Sequence, residues 1–103
     1  MEELYISHNA IDDLFDISLA AHLTVLDMEA NNVKEVDQLK YLRRMPRLSE
    51  VNMKGNPVQK EFAYYQKICE VVPKLQVLDD EPIGESFELF VEEKQKESRK
   101  FAL

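Results

Sequence analysis

Apolar residues recur along this chain in an eleven-residue pattern. Leu23-Thr-Val-Leu26-Asp-Met28-Glu-Ala-Asn31-Asn-Val33 carries them at its first, fourth, sixth and eleventh positions and an Asn at its ninth. The same pattern begins at Met1, running through Leu4, Ile6, Asn9 and Ile11, and again at Leu48, running through Val51, Met53, Asn56 and Val58. A fourth copy, starting at Leu75 and running through Leu78 to Ile83, has lost its Asn. The starts Met1, Leu23, Leu48 and Leu75 are 22, 25 and 27 residues apart. The pairs Leu4/Ile6, Leu26/Met28 and Val51/Met53 are two residues apart, and in an extended segment such residues share a face. Each pair predicts a short strand with a buried inner side.

A period in the twenties with this pattern is that of leucine-rich repeats, which stack so that neighbours bury one continuous core. The expected fold is therefore an α/β leucine-rich-repeat solenoid. Short parallel strands line its concave face, helical turns its convex face, and a helical cap closes its C-terminal end. Asn9, Asn31 and Asn56 bend the chain away from each strand. Buried turn backbone must be hydrogen-bonded, and an Asn side chain brings both donors and an acceptor. Three Asn at one repeat offset predict a ladder.

The segments between strands return the chain along the convex side. Leu14, Ile17 and Ala20 or Ala21 predict a helical turn within 12–22. Val36, Leu39 and Leu42 recur every three residues and predict more helix within 34–47, ended by Pro46, with Arg43 and Arg44 in the last turn. Glu61 to Val72 predicts a full amphipathic helix with Phe62, Tyr65, Ile68, Cys69 and Val72 as its inner stripe, stopped by Pro73. Residues 84–103 change character: Phe87, Phe90 and Val91 precede a nearly all-charged run from Glu92 to Lys100. This divides the chain into repeats with cap, 1–83, and a charged C-terminal helix or tail, 84–103, expected to dock by its aromatic end.

Composition narrows the function classes. A hydrophobic content of 45% suits one small packed domain, and a net charge of −7 disfavours a phosphate-binding surface. Cys69 is the single cysteine, so no internal disulfide forms and a reducing, cytoplasmic compartment fits best. The sequence has no apolar run long enough to span a membrane and no secretory signal pattern. Met1 sits at the first position of a repeat with nothing ahead of it to cover the core. Open repeat ends expose apolar surface. Either further repeats precede Met1 in a longer protein, or the chain self-associates through this uncapped N-terminal end.

Asn56-Pro57-Val58, then Tyr65-Gln-Lys-Ile68, then Val72-Pro73-Lys-Leu75-Gln-Val-Leu78-Asp79 resembles the C-terminal cap of leucine-rich-repeat proteins of the SDS22-like family. Gln66 stands where that family often has Arg. The family includes the spliceosomal U2 A-prime protein, axonemal dynein light chain 1 and a ciliary protein of outer dynein arm assembly. The resemblance covers residues 1 to about 84 and is strongest to the ciliary and axonemal members. It implies a protein-binding scaffold of the cytoplasm or of the cilium and its axoneme, with a dynein- or cilium-associated partner. The alternative it implies is a spliceosome-type adaptor that binds a protein and not RNA.

Candidate chemistry is sparse. His8 and His22 share no turn, and Cys69 falls on an apolar stripe where a buried structural thiol is expected. Asp79, Asp80 and Glu81 are consecutive but no calcium-binding type of loop follows, so a solvated cap edge is expected. No catalytic residue, cofactor or metal site is expected. The outward strand positions hold six acids, Glu3, Asp27, Glu29, Glu50, Asp79 and Glu81, against one base, Lys54. Tyr5 and Val25 add an apolar, aromatic spot. The expected binding surface is the concave face at Tyr5, Val25, Asp27, Glu29, Glu50, Asn52 and Lys54, and it suits a basic or mixed protein surface.

Overall fold

A computed structural model of the chain describes residues 2–83. Met1 and the predicted docking helix within 84–103 lie outside the described residues. Five strands form one sheet in chain order: β1 (Glu2–Tyr5), β2 (Leu23–Asp27), β3 (Glu50–Asn52), β4 (Val77–Leu78) and β5 (Glu81–Pro82). The first four are parallel, with Leu4 beside Leu26, Leu26 beside Val51 and Val51 beside Leu78. Equivalent repeat positions therefore stack. β5 returns antiparallel to β4 as a hairpin, which the repeat pattern does not predict.

Leu26, Met28, Val33, Val51, Met53 and Val58 are fully buried on the inner side, while Leu4, Ile6 and Ile11 of the first repeat are only partly covered. The convex connections are mostly 3-10 helices, at Ile17–Leu19, Val36–Arg44 and Pro57–Lys60, with one α-helix, α1 (Tyr64–Val71). The first is the single turn expected within 12–22, and its buried residue is Ser18. The nine-residue 3-10 helix Val36–Arg44 is long for its type. Its sequence explains it. Leu39, Leu42 and Met45 are buried at intervals of three, and only three residues per turn keeps Val36 and Met45 on one face. At 3.6 residues per turn they would oppose each other.

The predicted helix over Glu61 to Val72 is shorter and turned. Glu61 is extended (φ −73°, ψ 141°), which separates the 3-10 turn from α1. Phe62 thus precedes the helix and is 92% exposed, and Tyr65 is half-buried. The inner stripe is Tyr64, Ile68, Cys69 and Val71.

The Asn ladder forms. The Asn31 amide donates to Met28 O of its own repeat at 3.0 Å and to Ile6 O of the preceding one at 2.9 Å. Asn56 does the same with Met53 O at 3.0 Å and Met28 O at 2.8 Å. Their Oδ1 atoms accept the main-chain N–H of Ile11 and Val33. Asn9 donates only within its own repeat, to Ile6 O and Ser7 O. Immediately before each ladder Asn the backbone is left-handed, at His8 (φ 58°), Ala30 (φ 56°) and Gly55 (φ 77°). Only one of the three is the residue that tolerates this freely.

The parallel ladder ends at Asp79. Ile6 N–H donates to the main-chain O of Asp27, and Met28 N–H to that of Asn52, each in the next repeat. Met53 N–H should meet the main-chain O of Asp79 by the same rule. Asp79 and Asp80 instead turn left-handed (φ 54° and 66°), and the Asp79 carboxylate takes the Met53 N–H at 2.7 Å. Its other oxygen accepts from Tyr64 Oη at 2.8 Å and Gln59 Nε2 at 3.1 Å. Asp79 is thus a cap residue held inside the fold, and the expectation of a solvated edge fails there.

Candidate functional site

Strand register builds the concave surface in rows. Tyr5, Asp27 and Asn52 lie side by side across β1, β2 and β3. Val25, Glu50 and Val77 form the adjacent row, flanked by Glu3 beside Val25. Neighbouring strands are about 4.8 Å apart, so each row is one contact surface. Tyr5, Val25, Asp27, Glu50 and Asn52 all line a shallow depression of about 80 Å³, together with Val77 and Asp80. Five of the seven predicted residues are thereby brought together.

Glu29 and Lys54 stand at its edge. Lys54 Nζ lies 3.3 Å from Glu29 Oε1 and also pairs closely with Asp80. The Asp80 carboxylate, then Glu29, hold the Lys54 ammonium above its ordinary pKa. The single base of this face is thereby engaged by two acids, and the uncompensated carboxylates are Glu3, Asp27 and Glu50. Tyr5 stands among them, 61% exposed. Partial desolvation, then the charges of Glu3, Glu50 and Asp27, raise its phenol pKa.

Two predicted residues have a structural task as well. Asp27 Oδ1 accepts Glu29 N–H and Asn52 Oδ1 accepts Lys54 N–H, each at 3.0 Å. Asn52 is also buried, at 9% exposure, so it offers less contact area than its outward position suggests. The tally of outward acids also changes. Asp79 points into the cap and Glu81 lies on the antiparallel β5, while Asp80, expected at a solvated cap edge and not on the concave face, joins the depression. The readable signal for Asp80 was two Asp between Leu78 and Glu81, residue types that accept the positive φ of a two-residue hairpin turn.

Among the described residues no group of three His, Cys, Asp or Glu side chains is placed to hold a metal ion. No helix among them is long and apolar enough to cross a membrane. Cys69 is buried against the core, and burial pushes its thiol pKa up to about 11, away from nucleophilic use at neutral pH.

No protein-family model matches the chain. It is 34% identical over 94 residues to leucine-rich repeat-containing protein 56 of Rattus norvegicus, across 80% of this chain and 17% of that protein. The chain is a leucine-rich-repeat protein. It is also 35% identical over 72 residues to dynein axonemal assembly factor 1 of Rattus norvegicus, across 69% of this chain and 11% of that protein. A chain in the solved SNF/U2A′ complex of Drosophila melanogaster matches the leucine-rich-repeat fold with a TM-score of 0.78 at 21% identity, across 100% of this chain and 63% of that one. The chain thus spans 17% of the length of the first of these curated relatives.

Proposed function

We propose that this chain is a non-catalytic protein-interaction module whose acidic concave sheet takes a basic or mixed protein surface, within a cytoplasmic or axonemal assembly. The observation that carries the reading is the registered cluster of Tyr5, Asp27 and Glu50, with Lys54 neutralised at its edge. Carboxylates in one field steer a basic partner, and an exposed aromatic ring supplies an anchor to bury. The likeness to a protein named dynein axonemal assembly factor 1 supports a dynein- or cilium-associated partner. A spliceosome-type adaptor has only likeness of fold behind it, at 21% identity.

Affinity capture from ciliated-cell extract tests this, using the chain and its Glu50→Lys and Tyr5→Ala variants as baits. A basic dynein- or tubulin-associated protein should be retained by the parent and lost by both variants. Splicing proteins in its place would favour the adaptor, and equal retention by all three baits would remove the concave face from the function.

The N-terminal edge supports a second contact. Leu4, Ile6 and Ile11 are only partly covered, and Asn9 Oδ1, whose counterparts accept a preceding main-chain N–H, has no hydrogen-bond partner among the described residues. This edge takes another leucine-rich repeat, from a second copy or from added upstream sequence. Light scattering should show concentration-dependent association that an upstream repeat suppresses. A monomer at millimolar concentration with no stability gain on extension would count against it.

A further inference from the structure

A larger depression, of about 220 Å³, lies away from the concave face, between the end of the 3-10 helix Val36–Arg44 and the end of α1. Met45, Val71 and Val72, all buried, form its floor. Pro46 and Pro73 line it at matching places, each two residues before the first Leu of the next repeat. Arg43 and Lys74 are its exposed rim. The volume is below the roughly 300–1,000 Å³ of small-molecule sites and suits one large side chain.

Charge identifies the occupant. On a chain of net charge −7, the seven residues that line this depression include two bases, Arg43 and Lys74, and no acid. The carboxylate paired with the rim is Glu70, 3.5 Å from Arg43, in a pair whose side chains are 60% and 57% exposed. Such a pair is weak and screened, so an incoming carboxylate competes with it readily. Proline walls are already rigid, so little ordering accompanies binding.

We propose that this depression is a second docking site, for an apolar side chain carried on an acidic protein segment. The apolar residue fills the space over Met45 and Val72 while flanking carboxylates meet Arg43 and Lys74. The site is independent of the concave-face reading and opposite to it in charge preference, so the module would join a basic partner to an acidic one.

The test is an amide NMR titration of the full chain with three probes: an acidic peptide holding one Phe between Asp and Glu residues, the same peptide with Ser for Phe, and single-stranded DNA. The Phe peptide should shift the resonances of Met45, Val71, Val72 and Lys74 and leave those of Val25 and Asn52 in place. Its Kd should rise at least tenfold on changing Phe to Ser. In the Arg43→Glu/Lys74→Glu variant a Lys-flanked Phe peptide should bind in place of the acidic one, which shows the variant to be folded. Equal binding of the Phe and Ser peptides, equal binding of DNA, shifts confined to the concave sheet, or no shift at millimolar peptide would each overturn the proposal.

Discussion

The Tyr64 hydroxyl donates to the Asp79 carboxylate at 2.8 Å, tying the cap helix to the turn that closes the sheet. Burial, reinforced by the Asp79 charge, raises the Tyr64 phenol pKa, so it remains a donor at any physiological pH. Removing either partner should therefore loosen the cap. Asp79→Ala leaves Met53 N–H, Tyr64 Oη and Gln59 Nε2 without their acceptor and should cost about 3 kcal/mol in urea unfolding. Tyr64→Phe loses one bond to a charged group and should cost about 1.5 kcal/mol. Wild-type stability in Asp79→Ala would disprove the cap role.

Leu26 is fully buried with a strand on each side. Leu26→Ala removes its burial and leaves a cavity, and should cost about 2–5 kcal/mol. A loss below about 0.5 kcal/mol in urea unfolding would contradict the packing of the inner row.

Ala30 and Gly55 share a repeat position with positive φ. Ala30→Gly relieves a left-handed alanine and should raise stability by about 0.5–1 kcal/mol. Gly55→Ala should do the reverse and more, about 2 kcal/mol, because a Cβ there would lie 3.2 Å from the main chain of Ala30. Calorimetric melting of the two variants should move in opposite directions.

On the concave face, charge and structure can be separated at Asp27. Asp27→Asn keeps an oxygen to accept Glu29 N–H, as Asn52 does for Lys54 in the next repeat. It should leave the melting temperature nearly unchanged while slowing association with a basic partner and flattening its salt dependence. Asp27→Ala should also destabilise the fold, by about 1 kcal/mol. Stopped-flow association across a salt series, beside thermal melts, distinguishes the two effects.

Cys69 gives a pH signature. Its thiol is neutral in the fold up to about pH 11, whereas an unfolded thiol ionises near pH 8.5. Between these values the unfolded chain holds fewer protons, so the stability due to the neutral thiol is complete below about pH 8.5 and falls as pH rises toward 11. Cys69→Ala should show a flatter alkaline decline in melting temperature. At pH 8 a thiol reagent should label the native chain slowly and the urea-unfolded chain at once.

The repeat architecture was legible because its signal is redundant: Leu26, Met28 and Asn31 each have counterparts at fixed offsets, and one core demands all of them. Where a feature occurs once, the sequence was less informative. The sequence phases the cap helix on Phe62 because the break at Glu61 is a backbone choice with no side-chain marker. Asp79 reads as an outward acid when the alternation of the first three strands is extended through a turn that in fact reverses the chain. The rows of the concave face followed directly from stacking, whereas the second task of Asp27 and Asn52, holding a main-chain N–H two residues on, depends on a side-chain rotamer.

The ends of the Asn ladder are chemically unequal, and this sets how the molecule can change in length. The Asn31 and Asn56 amides reach back to the repeat before their own, so an added N-terminal repeat would find a waiting acceptor in Asn9 Oδ1 and need alter nothing downstream. At the other end Asp79 has already spent the Met53 N–H on its own side chain. A repeat appended there would find that donor taken and the strand direction reversed. Gain or loss of repeats, by evolution or by design, therefore has a polarity: it is accommodated ahead of the cap, which can be carried unchanged as a terminator for solenoids of other lengths.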